Sequence, residues 1–400
     1  MTKQGLILAA GLGKRMRPLS NSLAKSLLPV AGRPFIEWQI MALIEAKVEK
    51  IWIICGKNND DFKNKIGNGE RYNIEIEYVV QEKQAGTADA LLQVKNKIVG
   101  DFYCLNGDVI VSSKTIKLLD EKKQGVAVTE VDDVSAYGCV NVVDGIVDKI
   151  IEKENTGKGM INTGIYKMNS KIFEALTDMK KSKRGEYELT AIIENEKFEV
   201  VEIEDSWMDI GNPWNLLEAN EFYMKDIEPE IRGDIEDGVT IKGDVFVSEG
   251  AIIKSGTYIE GSVWIGEGAI IGPNAYIRGA TMLDVRTKVG AASEVKNSII
   301  MEGAKVPHHN YVGDSIIGRN VNLGSGTKIA NLRLDKGEIA VEYDGKKINT
   351  GRRKFGAVLG DNVSTGINSA INVGTIIGTD SVVGAGKTVS GTYPDGSKIL

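Results

Sequence analysis

The sequence predicts two domains of different fold classes, an α/β Rossmann-like domain followed by a left-handed parallel β-helix. Strand-like and helix-like segments alternate through the first half, which is typical of helices packed on a mostly parallel sheet. In the second half, apolar residues recur every six positions, a period that suits neither a helix nor an ordinary strand. The chain has 400 residues, too many for one ordinary core, so we place the domains at 1–225 and 239–400 with a polar linker at 226–238.

The elements of the predicted α/β domain follow from its apolar pattern. Buried strands are predicted at 50–56 and 101–108, and helices at 35–46 and 88–98. In folds of this kind, ligands bind beyond the carboxyl ends of the parallel strands. Gly11 and Asp108 both follow such an end. We therefore expect the binding site of this domain at that edge of the sheet.

The predicted β-helix rests on a strict repeat of apolar residues. The residues spaced six apart are Ile235, Ile241, Val247, Ile253, Ile259, Ile265, Ile271, Ile277, Leu283, Val289, Val295 and Met301. A triangular coil with one inward residue on each side explains this period, and such hexapeptide repeats are typical of the left-handed form. The period slips at 307–310, continues through Tyr311, Ile317, Leu323 and Ile329, and resumes in a second register at Leu359, Thr365, Ile371, Ile377, Val383 and Val389. The basic segment 332–354 between the registers is predicted to leave the coil.

Composition narrows the possible classes of protein. A net charge of −6, with 42% hydrophobic and 26% charged residues, gives no support to nucleic-acid or acidic-membrane binding. No apolar stretch approaches the ~20 residues that span a bilayer, and the apolar run near the N-terminus is too short for a signal peptide. The three cysteines are far apart, which suggests free thiols in a reducing compartment. We expect a cytoplasmic protein.

Residues 6–33 carry the strongest chemical signal. The run from Leu6 to Ala10 predicts a buried strand that breaks into a Gly-rich turn, where backbone N–H groups can cradle phosphate oxygens. Arg15 and Lys25 add two positive charges near this turn. A strand, a Gly-rich turn and two cations suit a nucleoside triphosphate that is to be attacked. The segment lacks the Gly-Lys-Ser/Thr of a P-loop and the third glycine of a dinucleotide fingerprint.

The pattern AAGxGxRM, followed by Lys25, Pro29, Gly32 and Pro34, resembles the sugar-1-phosphate nucleotidylyltransferase family. That resemblance implies attack of a sugar phosphate on the α-phosphorus of UTP or dTTP, with Arg15 and Lys25 as catalytic cations. Nucleotide contacts are implied for Leu8, Ala10, Gly11, Gly13, Gln81, Gly86 and Thr87, and sugar-phosphate contacts for Gly138, Glu152, Lys153 and Asn162. These residues do not fix the base or the sugar.

Two carboxylates are candidates for holding Mg²⁺, which the approach of two anions requires. Asp108 ends an apolar strand, and Asp209 lies in WMDIGN, which resembles the WxDxG element of hexose-1-phosphate nucleotidylyltransferases. The resemblance implies that both bind the metal, which prefers one or two carboxylates plus phosphate oxygens and water. From the residues alone, a turn cap and a helix cap remain open alternatives.

The two histidines lie where the six-residue period slips, so we expect them to point out of the coil. Residues 278–331 resemble the acetyltransferase half of bacterial bifunctional N-acetylglucosamine-1-phosphate uridyltransferases. The resemblance implies that His308 is the general base that lets an amino sugar attack acetyl-CoA. The other implied substrate contacts are Arg278, Lys296, Tyr311, Asn322, Asn331 and Lys354. Arg278 and Lys296 are eighteen residues apart, so they should lie on one face in successive coils.

The preferred interpretation is a bifunctional enzyme of nucleotide-sugar synthesis. It would acetylate glucosamine 1-phosphate, or galactosamine 1-phosphate, and then couple the product to a nucleotide in a Mg²⁺-dependent reaction. β-Helix domains of this kind commonly associate around their axis, so we expect a homotrimer. Two alternatives remain: a nucleotidylyltransferase whose β-helix is only structural, and a regulatory protein that binds nucleotide sugars without catalysis.

Overall fold

The computed structural model describes residues 3–57, 59–152, 155–182, 185–204, 207–343 and 345–400. It divides into two compact units. The first unit comprises Met1–Leu12, Ala24–Leu27 and Pro34–Ile210, and the second comprises Gly13–Leu23, Leu28–Arg33 and Gly211–Leu400. This division differs from the predicted domains, because the first unit ends before 225 and two segments near the N-terminus group with the β-helix.

Hydrogen bonds of Asn220 explain part of this difference. Asn220 is fully buried in a helix of the second unit. Its Oδ1 accepts from the backbone N–H of Ala31 at 2.9 Å, and its Nδ2 donates to the carbonyl of Ala280 at 2.8 Å. One side chain therefore ties both the helix and the 28–33 segment to the coils, which the local sequence pattern does not reveal.

The first unit contains one mixed nine-stranded sheet. Its strands are β1 Gln4–Leu8, β2 Lys50–Cys55, β3 Glu75–Val80, β4 Asp101–Asn106, β5 Gly125–Val131, β6 Gly138–Val143, β7 Ile146–Glu152, β8 Gly159–Asn169 and β9 Glu199–Glu202. The spatial order is β3-β2-β1-β4-β8-β5-β9-β7-β6, with β3, β2, β1 and β4 parallel. Strand β8 is antiparallel to both β4 and β5. The α/β class is confirmed, with a parallel core and antiparallel additions.

The helices of the chain are short. They are α1 Phe35–Glu45, α2 Asp60–Ile66, α3 Thr87–Leu92, α4 Ser113–Asp120, α5 Ile172–Ala175, α6 Thr190–Asn195 and α7 Pro213–Tyr223. Single 3₁₀ turns cover Lys14–Met16, Leu19–Asn21, Lys25–Leu27, Glu70–Tyr72, Leu176–Asp178 and Met224–Asp226. Helix α3 is shorter than predicted. None of the helices in the described part of the chain is long and apolar enough to cross a membrane.

The second unit is a parallel β-helix in which each coil adds one short strand to each of three sides. The first side contains Glu230–Ile231, Val245–Val247, Val263–Ile265, Thr281–Leu283, Ile299–Ile300, Ile316–Ile317, Ala357–Leu359, Thr375–Ile377 and Thr392–Tyr393. The second contains Asp234–Ile235, Ile252–Ile253, Ile270–Ile271, Lys288–Val289, Lys305–Val306, Ser364–Thr365, Val382–Val383 and Lys398–Ile399. The third contains Thr240–Lys242, Tyr258–Glu260, Tyr276–Arg278, Glu294–Lys296, Tyr311–Gly313, Lys328–Ile329, Ala370–Ile371 and Thr388–Val389. Two strands of the first two sides lie inside the predicted linker, which is therefore already part of the first coil.

The interior of the β-helix is a column of buried aliphatic residues, as the repeat predicts. The positions of the slips were predicted wrongly. Ile300, not Met301, pairs with Leu283 and fills the column, and Val312 rather than Tyr311 follows Val295. Two coils are shortened by one residue at corners where Asn297 and Asp314 adopt left-handed backbone, with φ of 47° and 48°. These short-side-chain residues tolerate that conformation.

The segment that leaves the coil folds back to its starting point. Ile317 pairs with Leu359, so the column continues across the insertion. Within the insertion, strands Ala340–Tyr343 and Lys346–Asn349 form an antiparallel hairpin. A bridge between Leu332 and Lys354 closes its base. Lys354 is thereby returned close to Asn331, although many residues separate them in sequence.

Candidate functional site

Strands β1 and β4 end side by side in the first unit. The N–H of Gly107 donates to the carbonyl of Leu8 at 2.9 Å. A Cβ added at Gly107 would lie 2.7 Å from that same oxygen, so only glycine permits this approach. Ala10 is buried just beyond β1. Gly11 is exposed, and a Cβ added there would have open space around it. The turn that is predicted to bind the nucleotide therefore follows two strand ends that are packed closely together. Gly107, which the motif did not indicate, makes this close packing possible.

Lys25 and Asp108 meet at this edge. The Nζ of Lys25 contacts Oδ2 of Asp108, and their side chains are 15% and 29% exposed. Asp209 is brought alongside by a short ladder: Val109 pairs with Asp209, and the N–H of Ile210 donates to the carbonyl of Asp108 at 2.8 Å. Three predicted residues that are far apart in sequence therefore lie in one region at the edge of the sheet.

This donor set fits Mg²⁺. Among the described residues, no group of three or more His, Cys, Asp or Glu side chains could enclose a metal ion. Two carboxylate residues on backbone segments that pair with each other, Asp108 and Asp209, match a cation that takes its remaining ligands from phosphates and water. The contact of Lys25 with Asp108 shows that a positive charge is already accommodated there. Both carboxylates remain predicted ligands.

Gln81 is fixed by a neighbour that sequence reasoning missed. It lies at the end of β3, is 3% exposed, and its Nε2 donates to Oδ2 of Asp89 at 2.7 Å and to the carbonyl of Gly86 at 3.3 Å. Asp89 lies in the first turn of α3, near Thr87. The carboxylate thereby sets the orientation of the Gln81 amide, the group predicted to contact the nucleotide.

Gly86 and Thr87 also have a packing role. The Gly86 backbone has φ 122°, and an added Cβ would lie 2.3 Å from the carbonyl oxygen of Tyr187. The N–H of Ala88 donates to that oxygen at 2.9 Å, and the Thr87 hydroxyl accepts from the N–H of Leu189 at 3.0 Å. These contacts join α3 to the chain before α6. The predicted phosphate contact is therefore not required to explain this glycine.

The predicted sugar-binding residues converge on β6, β7 and β8. Gly138 pairs with Glu152, and an added Cβ at Gly138 would lie 3.0 Å from the Glu152 Oε1. Asn162 Nδ2 donates to the Tyr166 hydroxyl at 2.9 Å, and burial raises the pKa of Tyr166, which keeps that hydroxyl neutral. Lys153 lies outside the described residues.

Gly13 and Arg15 belong to the second unit. Gly13 adopts left-handed backbone with φ 58° immediately before the turn Lys14–Met16. Arg15 is exposed within that turn, whereas Met16 is fully buried. The turn therefore has one anchored side and one side that presents a guanidinium.

In the β-helix, Arg278 and Lys296 are paired directly across two coils of the third side, as predicted from their spacing. Each cation is matched by a carboxylate. Arg278 Nε donates to Glu294 Oε1 at 2.8 Å, and this hydrogen bond raises the pKa of the guanidinium. Lys296 Nζ donates to Asp314 Oδ2 at 2.9 Å. The two positive groups are thus held in fixed positions on one face.

Asp314 is the centre of this cluster, and sequence reasoning did not single it out. Its side chain is 3% exposed and accepts from Lys296, from Asn297 Nδ2 at 2.9 Å and from Asn331 Nδ2 at 2.5 Å. The pKa of Tyr311 is raised, first by burial and then by the Glu294 and Asp314 carboxylates. Asp314 therefore links predicted phosphate and sugar contacts in one network.

A cavity of about 610 Å³ opens beside this cluster. Its lining residues are Glu221, Asp314, Leu332, Lys336, Arg352, Arg353 and Lys354. The N–H of Phe355 donates to the carbonyl of Asn331 at 3.0 Å, which brings the returning chain to the cluster. Arg352 secures the insertion by donating to Glu221 Oε1 at 2.5 Å. The insertion thus supplies basic residues to the same region as Lys296.

His308 is exposed, as predicted, but for a different reason. The coil keeps the six-residue spacing from Val306 to Val312, so no slip occurs there. Instead His308 and His309 form a corner, where His309 has φ 51° and the His308 carbonyl accepts from the N–H of Gly326 at 3.0 Å. Asn322 pairs with Lys305 and Ser364 on the second side of the coil. It is therefore on a different side from Arg278, Lys296 and Tyr311.

Known protein families match both halves of the chain. A model described as nucleotidyl transferase matches residues 4–226, and one described as the GMPPB C-terminal domain matches 259–389. A solved structure of a proposed glucose-1-phosphate thymidylyltransferase from Bacillus anthracis is 29% identical, with a TM-score of 0.52. It covers 57% of this chain and 97% of that chain.

Relatives matched over nearly their whole length are named as bifunctional proteins. The bifunctional protein GlmU of Methanococcus maripaludis is 45% identical over 390 residues, covering 95% of this chain and 93% of that protein. A bifunctional sugar-1-phosphate nucleotidylyltransferase/acetyltransferase of Sulfurisphaera tokodaii is 41% identical over 402 residues, covering 97% of each. These names support the bifunctional interpretation over a purely structural second half or a non-catalytic protein. The chain belongs to the family of bifunctional sugar-1-phosphate nucleotidylyltransferases/acetyltransferases.

Proposed function

We propose that this enzyme acetylates an amino-sugar 1-phosphate and transfers a nucleotidyl group from UTP, or dTTP, to the acetylated product. The observation that carries the first activity is the meeting of Lys25, Asp108 and Asp209 beside the Gly-rich turn. The paired cations Arg278 and Lys296 support the second. Both sets of residues suit substrates that carry a phosphate.

In nucleotidyl transfer, a phosphate oxygen of the sugar 1-phosphate attacks the α-phosphorus, and pyrophosphate leaves. Both reactants are anions, so the main requirement is positive charge held in position. Lys25 and Arg15 provide it, while Gln81 and the Gly11 turn orient the nucleotide. Asp108 and Asp209 would hold Mg²⁺, which neutralises phosphate charge when bound. The reaction needs no protein base, because the attacking phosphate oxygen is already ionised.

In acetyl transfer, the amine nitrogen forms a bond to the thioester carbon of acetyl-CoA, and the carbon–sulfur bond breaks. His308 takes a proton from the amine and returns it to the leaving thiolate, so the products are an amide and the CoA thiol. Arg278, Lys296 and Lys354 would bind the sugar phosphate, with Tyr311 and Asn331 at the sugar. Asn322 is on another side of the coil, so its contact would come from a neighbouring subunit of the expected trimer.

The decisive experiment is an activity matrix. Pyrophosphate release is measured for four nucleoside triphosphates against free and acetylated sugar phosphates, and thiol release is measured with acetyl-CoA and each amino-sugar phosphate. We expect both activities in the wild type and a loss of about 100-fold or more in thiol release for His308→Ala. His309→Ala is the matched control, because it alters the same corner. Absence of thiol release with every amino sugar would contradict the acetyltransferase assignment.

The oligomeric state is tested separately. We propose a homotrimer, so light scattering should give about three times the chain mass of 43.4 kDa. A monomeric enzyme with full acetyltransferase activity would contradict the proposed contribution of Asn322 from a neighbour. An Asn322→Ala variant should lose acetyl transfer while its mass stays that of the wild type.

A further inference from the structure

The phosphate-binding loop is fastened to the β-helix. The chain passes into the second unit at Gly13 and leaves it after Leu23, a span that contains Arg15. Met16 and Leu19 are buried within that unit, at 0% and 2% exposed. We call residues 13–23 the phosphate loop. Its packing means that the shape of a loop assigned to the first reaction depends on the second half of the chain.

An ion pair whose carboxylate is buried makes the main contact between the loop and the coils. Arg319 Nη2 donates to Asp361 Oδ2 at 2.8 Å, and the backbone N–H of Arg319 donates to Asp361 Oδ1 at 2.8 Å. Ser22 joins this pair: its hydroxyl donates to Asp361 Oδ2 at 2.6 Å and accepts from Arg319 Nη2 at 2.6 Å. The Asp361 side chain is 9% exposed and the Arg319 side chain is 31% exposed, so the carboxylate end of this network is the part shielded from water.

Three further contacts surround this point. Asn21 Nδ2 donates to Asp395 Oδ2 at 2.9 Å, and the Tyr343 hydroxyl of the hairpin donates to the carbonyl of Lys14. A Cβ added at Gly360 would lie 2.9 Å from Pro18, so the coil backbone itself packs against the loop. The loop is held on both sides of Arg15, from Lys14 and from Pro18 to Ser22. Arg15 itself stays exposed.

We propose that Asp361 and Arg319 are positioning residues for nucleotidyl transfer, acting through Ser22 to hold the phosphate loop so that Arg15 is presented in one conformation. This inference rests on the role proposed above for Arg15. The β-helix then has a second task besides acetyl transfer. Neither residue would touch the nucleotide, and neither belongs to the Asp314 cluster of the acetyltransferase site.

The test compares the full-length enzyme with Asp361→Asn, Ser22→Ala and the double variant. Asp380→Asn is the matched control, because Asp380 lies on the same face and accepts from Asn362 Nδ2 at 2.9 Å, a hydrogen bond outside the Asp361–Ser22 network. We expect kcat/KM for the triphosphate to fall about 10-fold in each single variant, with thiol release within two-fold of wild type. The double variant should be no worse than Asp361→Asn, since the residues act as one unit. Ser22→Thr, which keeps the hydroxyl, should restore activity.

Limited trypsin digestion gives a readout that does not depend on catalysis. Cleavage after Lys14 and Arg15 should be faster in Asp361→Asn than in wild type or Asp380→Asn, because the loop is released. Unchanged cleavage, unchanged kcat/KM, or an equal fall in both activities would each overturn the positioning role. If the wild type itself releases no pyrophosphate with any substrate pair, the proposed function fails, whereas the cleavage rates still decide whether the ion pair holds the loop.

Discussion

The ammonium group of Lys296 donates a 2.9 Å hydrogen bond to Oδ2 of Asp314, whose side chain is 3% exposed. An isolated buried carboxylate would be unfavourable, and this one is stabilised by a cation and two amide donors. The pair keeps Lys296 in place before any substrate binds. A phosphate arriving at Lys296 would find the lysine already oriented, which reduces the entropy lost on binding.

Asp314→Asn should reduce acetyl transfer by about 10-fold or more, because Lys296 and Asn331 lose the carboxylate that orients both. Asparagine suits the test, since it also tolerates the left-handed backbone at this position. Thiol release measures the effect, and pyrophosphate release should not change. Glu302→Gln, which removes an exposed ion pair with Arg286, serves as the control. Equal activity of Asp314→Asn and the control would contradict the orienting role.

Asp108→Asn should lower pyrophosphate release by about 100-fold or more, because one proposed metal ligand and the partner of Lys25 are lost together. The variant should also require more Mg²⁺ for half-maximal rate, which a titration of the metal measures. Asp101→Asn is the control, as Asp101 begins the same strand and accepts from Asn169 at 2.6 Å. Wild-type activity in Asp108→Asn would rule out the metal role.

Gly86→Ala should destabilise the protein by about 2 kcal/mol or more, since the added Cβ would meet the Tyr187 backbone in a conformation that suits only glycine. Gly145→Ala is the matched control: φ is 76° there, but open space surrounds the residue, so a loss of about 1 kcal/mol is expected. Urea unfolding followed by fluorescence compares the two midpoints. Equal midpoints would show that the loop before α6 moves away at little cost.

The fold class could be predicted from the sequence because the spacing of apolar residues follows their burial. This holds for the alternating strands and helices of the first half and for the six-residue repeat of the second. The six-residue repeat identified most of the interior column. Ile235 in the first coil is instead 37% exposed. Where a coil is shortened, Met301 was assigned in place of Ile300. The shortened coils have Asn297 and Asp314 at their corners, and nothing in the composition distinguishes these corners from other polar turns. The boundaries between the two units were harder to predict from the sequence, because buried hydrogen bonds such as those of Asn220 join segments that are far apart in the chain.

The candidate sites, too, could be predicted only in part from the sequence. Motifs identified Lys25, Asp108 and Asp209, whose roles stay predictions, and the structure brings them together. The supporting residues Asp89 and Asp314 were missed, because each acts by fixing another side chain and no local pattern marks it. Their contacts depend on which strands and coils are neighbours in the folded chain.

The cysteines offer a test of burial that is independent of substrates. All three are free; Cys55 and Cys104 are buried, and Cys139 is partly exposed. Burial raises the pKa of Cys55 to about 11 and also raises that of Cys104. At pH 8 only about one Cys55 in a thousand would be thiolate, the form that reacts. A thiol reagent should therefore modify one cysteine per native chain and three in urea.

The raised pKa values of the two buried thiols also contribute to the loss of stability of the first unit at alkaline pH. The unfolded chain ionises its thiols near their ordinary pKa of 9.0, whereas the folded state holds the Cys55 proton until about pH 11. Proton release therefore favours the unfolded state in this range, and the free energy of unfolding should fall as pH rises from about 9 towards 11. Cys55→Ala and Cys104→Ala together should flatten that decline in urea titrations at several pH values. Rapid modification of all three native thiols at pH 8 would contradict the buried positions of β2 and β4.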